Sequence, residues 1–176
     1  MYLTGIADEA SQKIETQIEV TRQLGWNAIE SRFIDGKNIH DLSEDAFDRV
    51  CEALDGTGVY INAFGSAIAN WGKDVRDDFS ITEEEIHRTI PRMKRLQAKF
   101  VRVMSYKVLD GEDQLVDERI KRLRLILDAF HAEGITVVHE NCMNYGGMSW
   151  QHTIELLDAL PEMKLVFDTG NPVFNR

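Results

Sequence analysis

A short run of β-forming residues followed by an amphipathic helix recurs about every thirty residues along this chain, and that alternation most restricts its fold. Strands are predicted near 2–7, 27–32, 59–64, 100–105, 135–140 and 164–168, with helices near 11–24, 43–56, 82–98, 113–133 and 149–160. Val116, Ile120, Leu123, Leu127 and Phe130 share one helical face, as do Trp150, Thr153, Ile154, Leu157 and Leu160, so both rows are read as core-facing. Ser11, Ser43 and Ser149 precede helices, and Thr82 with Glu85 reads as a capping box. Gly25, Gly58 and Gly134 stand where helices should stop, and Pro91 should kink or divide the third helix. Strand and helix in strict succession call for parallel strands joined by right-handed crossovers.

Such a sheet is either doubly wound or closed toward a barrel. Strand alternation puts Ala28, Glu30 and Arg32 on one side, opposite Ile29 and Phe33, and sets Arg102 and Met104 opposite Val101 and Val103. A doubly wound sheet covers both faces with apolar helices and tolerates an inward arginine poorly. A barrel interior offers Arg102 a carboxylate such as Glu30, as part of a ligand site or as a purely structural ion pair. The expectation is therefore one α/β domain over residues 1–176, a partial (β/α) TIM barrel of six parallel strands whose C-terminal strands are missing.

The residues that carry chemistry are two acids. Glu140 closes Val137-Val138-His139-Glu140, and Asp168 closes Leu165-Val166-Phe167-Asp168. Ligands of parallel α/β proteins bind at the carboxyl ends of strands, so acids at two successive ends suggest a divalent cation or acid/base work. Helix capping or plain solvation is the competing reading of both. His139 alternates to the face opposite Glu140 and is read as a structural, helix-facing side chain. His40, His87, His131 and His152 lack metal-site spacing and are read as solvated.

At 176 residues the chain suits one domain with a sizeable core, and 43% hydrophobic with 28% charged residues describes a soluble globular protein. A net charge of −10 argues against nucleic acid as a partner. Cys51 and Cys142 lack CxxC spacing and read as reduced thiols. With no signal peptide and no membrane-spanning run, a cytoplasmic location is expected.

Gly5-Ile6-Ala7-Asp8-Glu9, Ala28-Ile29-Glu30-Ser31-Arg32, His139-Glu140-Asn141 and Phe167-Asp168-Thr169-Gly170-Asn171-Pro172 together resemble the sugar-phosphate isomerase/epimerase family of xylose-isomerase-like TIM barrels. The resemblance implies an eight-stranded barrel holding one divalent metal ion, manganese, magnesium, cobalt or zinc, through Glu, Asp, His and Glu on the last four strands. Glu140 and Asp168 match the first two ligands. It also implies a sugar or sugar phosphate as the small-molecule partner, with Glu140 as the catalytic base of an isomerisation or epimerisation through an enediolate. Glu30, Trp71, Arg102, Asn141 and Asn171 are the candidate substrate contacts, Trp71 either covering a sugar ring or packing a loop. The chain ends at Arg176, just after the sixth strand, whereas a TIM barrel takes about 250 residues. Two readings follow: part of a metal-dependent isomerase or epimerase, enzymatic only when completed, or a catalytically incompetent barrel fragment that binds a ligand or partner. Unpaired edges at the first and sixth strands suggest a homo-oligomer or the need for a complementing C-terminal piece.

Other chemistries fare worse. Asp8 and Glu9 end the first strand as in response-regulator receivers, yet the third strand ends Ala63-Phe64-Gly65 without an acceptor aspartate. Asp8 is left to line the barrel mouth or cap the first helix. The glycines of Asn144-Tyr145-Gly146-Gly147-Met148-Ser149 could offer N–H groups to a phosphate, or serve only a tight turn. Neither GxGxxG nor GxxxxGK[ST] occurs, and an endonuclease IV-like reading lacks the required histidine cluster and basic surface.

Overall fold

In the computed structural model, which describes residues 1–111 and 113–174, the alternation takes the expected form. In chain order the elements are β1 (Thr4–Ile6), α1 (Ile14–Gln23), β2 (Ala28–Ser31), β3 (Phe33–Ile34), β4 (Lys37–Asn38), α2 (Glu44–Leu54) and β5 (Tyr60–Gly65). They continue with α3 (Ser80–Leu96), β6 (Phe100–Val103), α4 (Val116–His131), β7 (Thr136–Glu140), α5 (Trp150–Ala159), β8 (Lys164–Val166) and α6 (Asn171–Phe174). Arg176, where the sequence ends, lies outside the described residues. Six strands form one parallel sheet in the order β1-β2-β5-β6-β7-β8. A doubly wound sheet reverses its order at a switch point. Here the order never reverses, so the fold is that of a partial TIM barrel.

Two compact units divide the chain, Met1–Ser66 with Arg88–Val101 and Ala67–His87 with Arg102–Arg176. In the first, β1 pairs with β2 from Thr4↔Ala28 to Ile6↔Glu30, and β2 pairs with β5 across an irregularity between Ile29 and Glu30. Its core is built on Ile18, Ile29, Phe47, Val50, Ile61 and Phe64, all buried. In the second, β7 and β8 pair as Val138↔Lys164, His139↔Leu165 and Glu140↔Val166. Leu123, Ile126, Phe130, Val137 and Leu156 are its buried apolar centre.

Local details depart from the sequence reading. A two-residue turn at Asp35 (φ 50°) and Gly36 (φ 76°) closes an unforeseen antiparallel hairpin, β3 with β4, the pairing that Asp-Gly favours because both residues accept positive φ. Ser43 and Ser149 do cap α2 and α5, accepting from Ala46 N and His152 N. Ser11 does not cap α1, whose N-cap is Lys13; Ser11 Oγ only accepts from the Lys13 N–H. Thr82 and Glu85 lie inside α3, which starts two residues earlier, with Asp78 Oδ1 receiving the Ser80 N–H. The same helix continues through Pro91. On α5 the buried side chains are Leu156 and, at its end, Leu160, whereas Trp150 and Ile154 are exposed. They line a cavity of about 420 Å³ with Leu165 and Phe167. The row on α4 is rotated toward Arg119, leaving Val116 and Ile120 half-buried. Among the described residues no helix is long and apolar enough to cross a membrane.

Candidate functional site

Strand alternation decides what the end of β7 presents. His139 and Glu140 are consecutive, so they point to opposite faces. Glu140 pairs in register with Val166, and Asp168 follows two residues later, just past the end of the neighbouring strand. Arg102, near the end of β6, meets Glu140: Nη1 lies 2.9 Å from Oε2, with the two side chains only 7% and 10% exposed. The contact is close but lacks the angles of a hydrogen bond, so it is chiefly an attraction of charges in a site with little water. Burying the carboxylate without a counter-charge would be costly, and Arg102 supplies one to Glu140.

Asp168 is held through its backbone as well as its carboxylate. Asn141 grips it reciprocally, Nδ2 donating to Asp168 O (2.9 Å) and Oδ1 accepting from Asp168 N (2.7 Å). Asp168 Oδ1 accepts from Gly170 N (2.6 Å) and Asn171 N (3.3 Å), which closes the turn leading into α6. The Asn171 amide, Nδ2, is buried without a hydrogen-bond partner among the described residues. Glu140, Arg102, Asn141, Asp168 and Asn171 all belong to the second unit. So does Trp71, which is 52% exposed in the segment after β5. Glu30 belongs to the first unit and is half-buried on β2. Nearby, Arg32 reaches Asp8 Oδ2 (2.9 Å) and Glu9 Oε1 (2.7 Å), and Asp8 does not cap α1.

Behind Glu140 a buried polar network fixes the loop. His139 is fully buried, its Nε2 shared by Ser105 Oγ and Asn144 Oδ1, each at 3.1 Å. Burial pushes its pKa down to about 4, against a smaller opposing effect of Asn144, so the ring is neutral at physiological pH. Asn144 Nδ2 donates to Glu140 O (3.0 Å), and Gly146 N donates to Ser105 Oγ (2.7 Å). Gly147 N and Met148 N turn to Asn144 O and Tyr145 O. These N–H groups all have partners within the protein, which removes the phosphate-receiving reading of the glycines. Their purpose is space: a Cβ at Gly146 would lie 2.5 Å from His139 Cε1, and one at Gly147 would lie 1.7 Å from Cys142 O. Arg119 secures the neighbouring loop by donating to Gln114 O, Ser105 O and Lys107 O, with its guanidinium 4.9 Å from the Tyr145 ring centre.

Sequence reasoning passed over Ser105, Asn144 and Arg119, because no local spacing links them. It also erred on His40. That side chain is fully buried after β4, with Nδ1 3.3 Å from Thr89 Oγ1, because the short helical turn Ile39–Asp41 packs it against α3. His87 is exposed, and His131 and His152 are half-buried.

The donor chemistry of Glu140 and Asp168 suits a hard divalent cation, which takes carboxylate oxygens. They would fill two positions of its coordination shell. Among the described residues no third His, Cys, Asp or Glu joins them as a possible ligand group. Both cysteines are free, and burial raises the pKa of Cys142 beside Glu140.

The sequence model of the xylose isomerase-like TIM barrel matches residues 18–175. No curated protein sequence matches the chain. Among solved structures, a xylose isomerase-like TIM barrel protein from Mycobacterium smegmatis in complex with magnesium superposes with a TM-score of 0.72 at 16% identity, covering 98% of this chain and 65% of that one. The probable 3-DHS dehydratase AsbF of petrobactin synthesis from Bacillus anthracis gives 0.75 at 18% identity, covering 97% and 64%. D-allulose 3-epimerase from Methylomonas sp. in complex with D-allulose gives 0.74 at 13% identity, covering 100% and 65%. The chain thus spans just under two thirds of the length of these similar structures.

Proposed function

Given that the chain belongs to the xylose isomerase-like TIM barrel family, we propose that it carries part of the active site of a sugar or sugar-phosphate isomerase or epimerase. The observation that carries this reading is the buried Glu140–Arg102 pair at a strand end, beside Asp168. Glu140 is the base that takes a proton from the carbon next to the sugar carbonyl and can return it to the neighbouring carbon on the same side, as an isomerisation requires. Epimerisation calls for a second carboxylate on the opposite side to deliver the proton there. Arg102 offers guanidinium N–H groups to the oxygen on which charge develops. Asn141 and Asn171 contact hydroxyls through their amides, the buried Asn171 Nδ2 having a donor to give. Trp71, in the same unit, completes the assignment of substrate contacts. Glu140 and Asp168 hold the cation, one of magnesium, manganese, cobalt or zinc, which when bound supplies Lewis acidity to adjacent sugar oxygens. Support for sugar chemistry comes from the epimerases with which the fold is shared. The free cysteines go with a reducing, cytoplasmic setting.

Deuterium exchange tests the reading. Incubated in D2O with ketoses, free and phosphorylated, and with Mn²⁺, the protein is expected to wash deuterium into the carbon next to the carbonyl, as followed by proton NMR. Glu140→Gln is expected to slow this by about 10²-fold or more, the usual worth of a positioned base. Equal exchange by the parent and the variant refutes the assignment of Glu140, and no exchange by the parent refutes the enzyme reading in favour of the binding module.

A further inference from the structure

Arg102 lies where the proposed cation would need room. Its guanidinium is within 2.9 Å of Glu140 Oε2, and both side chains are almost fully buried. A divalent ion held by a carboxylate sits about 2.0–2.6 Å from the oxygen. An ion taken up on Oε2 would therefore lie within roughly 5 Å of the guanidinium nitrogen, two like charges with little water between them. The converse holds as well. With no cation bound, removal of the guanidinium would leave a buried carboxylate without a counter-charge. Asp168 is held differently, with Oδ1 met by the backbone N–H groups of Gly170 and Asn171.

From this geometry, and resting on the reading of Glu140 as a cation ligand, we propose that Arg102 competes with the divalent cation for Glu140. The guanidinium keeps the carboxylate neutralised while the site is empty, and cation binding displaces it. Loading is then an exchange of one positive group for another. It weakens cation binding and frees the Arg102 N–H groups to turn to substrate oxygens only once the cation is in place. Arg102 is in this sense a selector of the loaded state as well as a substrate contact.

Manganese titration followed by calorimetry, and by the EPR signal of free Mn²⁺, tests the exchange on the parent, Arg102→Gln, Glu140→Gln and the double variant, with circular dichroism to check folding. R102Q is expected to bind Mn²⁺ about tenfold more tightly than the parent, the direction set by loss of a like charge. In the double variant this gain is expected to vanish. Binding by R102Q that is equal to or weaker than the parent's, or undetectable in both, overturns the proposal. A second readout needs no arginine variant: Mg²⁺ added to the ¹⁵N-labelled parent is expected to shift the Arg102 Nε–H resonance, and an unmoved resonance at saturation overturns the exchange. Retention of full parental binding by E140Q would instead defeat Glu140 as a ligand. Loss of binding in E140Q together with no gain in R102Q would defeat the exchange alone.

Discussion

Acid should weaken this protein through His139, and the size of the effect follows from its surroundings. The ring is wholly buried, and its pKa falls from 6.5 to about 4, chiefly because burial penalises the charged form. In the unfolded chain the same group titrates near 6.5, so the unfolded state takes up the proton first as the pH falls. The stability associated with a neutral His139 is therefore fully present above pH 6.5 and is lost as the pH drops toward 4. A gap of 6.5 less 4, at about 1.4 kcal/mol for each pH unit, amounts to about 3 kcal/mol. That is a sizeable share of a typical domain stability of about 5–15 kcal/mol. Carboxylates titrate in the same window, so the measurement is a difference: urea unfolding of the parent and of His139→Gln, each near neutral pH and again near pH 4. The glutamine amide can still bond Ser105 or Asn144 but has no proton to gain. The parent is expected to lose about 3 kcal/mol more than the variant between the two conditions. Equal losses would refute the reasoning, because they would mean that folding leaves the proton affinity of His139 unchanged.

Gly146→Ala is expected to destabilise by about 1–3 kcal/mol through overpacking, since the new methyl would meet His139 Cε1 at 2.5 Å and Leu156 Cδ1 at 2.7 Å, both on buried side chains. Calorimetry should show melting lowered by several degrees, and an unchanged melt would count against it. Arg119→Met should cost about 3 kcal/mol or more, because three backbone carbonyls lose a charged donor. Faster amide exchange at Leu109 and Tyr106 should accompany the loss, and parental exchange rates there would speak against this role for Arg119.

The six sheet strands and five longer helices were legible because hydrophobic period reports burial, and burial is what a βα succession organises. The β3–β4 hairpin was missed: Asp35-Gly36 suits its turn, but its strands are too short to show a period. Glu140 and Asp168 stood out because strand ends are chemically distinctive in this architecture. That Arg102 meets Glu140 at 2.9 Å depends on the placement of one strand beside another, which no spacing within either strand encodes. The same limit hid the Ser105–His139–Asn144 network, whose members come from two different segments. His40 was misjudged because a short helical turn has no pattern of its own, and α3 supplies the cover. Gly146 and Gly147 signalled a special site correctly but not its kind: they make room for His139 and for the Cys142 carbonyl.

The unreversed strand order bears on how the chain is made. Registers place Thr4 against Ala28, Ala28 against Tyr60 and Val138 against Lys164, separations of 24, 32 and 26 residues. At about 5–20 residues per second, a ribosome needs only a few seconds to deliver each next strand. Forming a turn or closing a short loop takes microseconds or less. A newly emerged strand in these pairs thus finds its neighbour already synthesised, and the sheet can grow by addition at one edge in the order of translation. A doubly wound sheet, by contrast, must hold an inner strand open for a partner still to be translated.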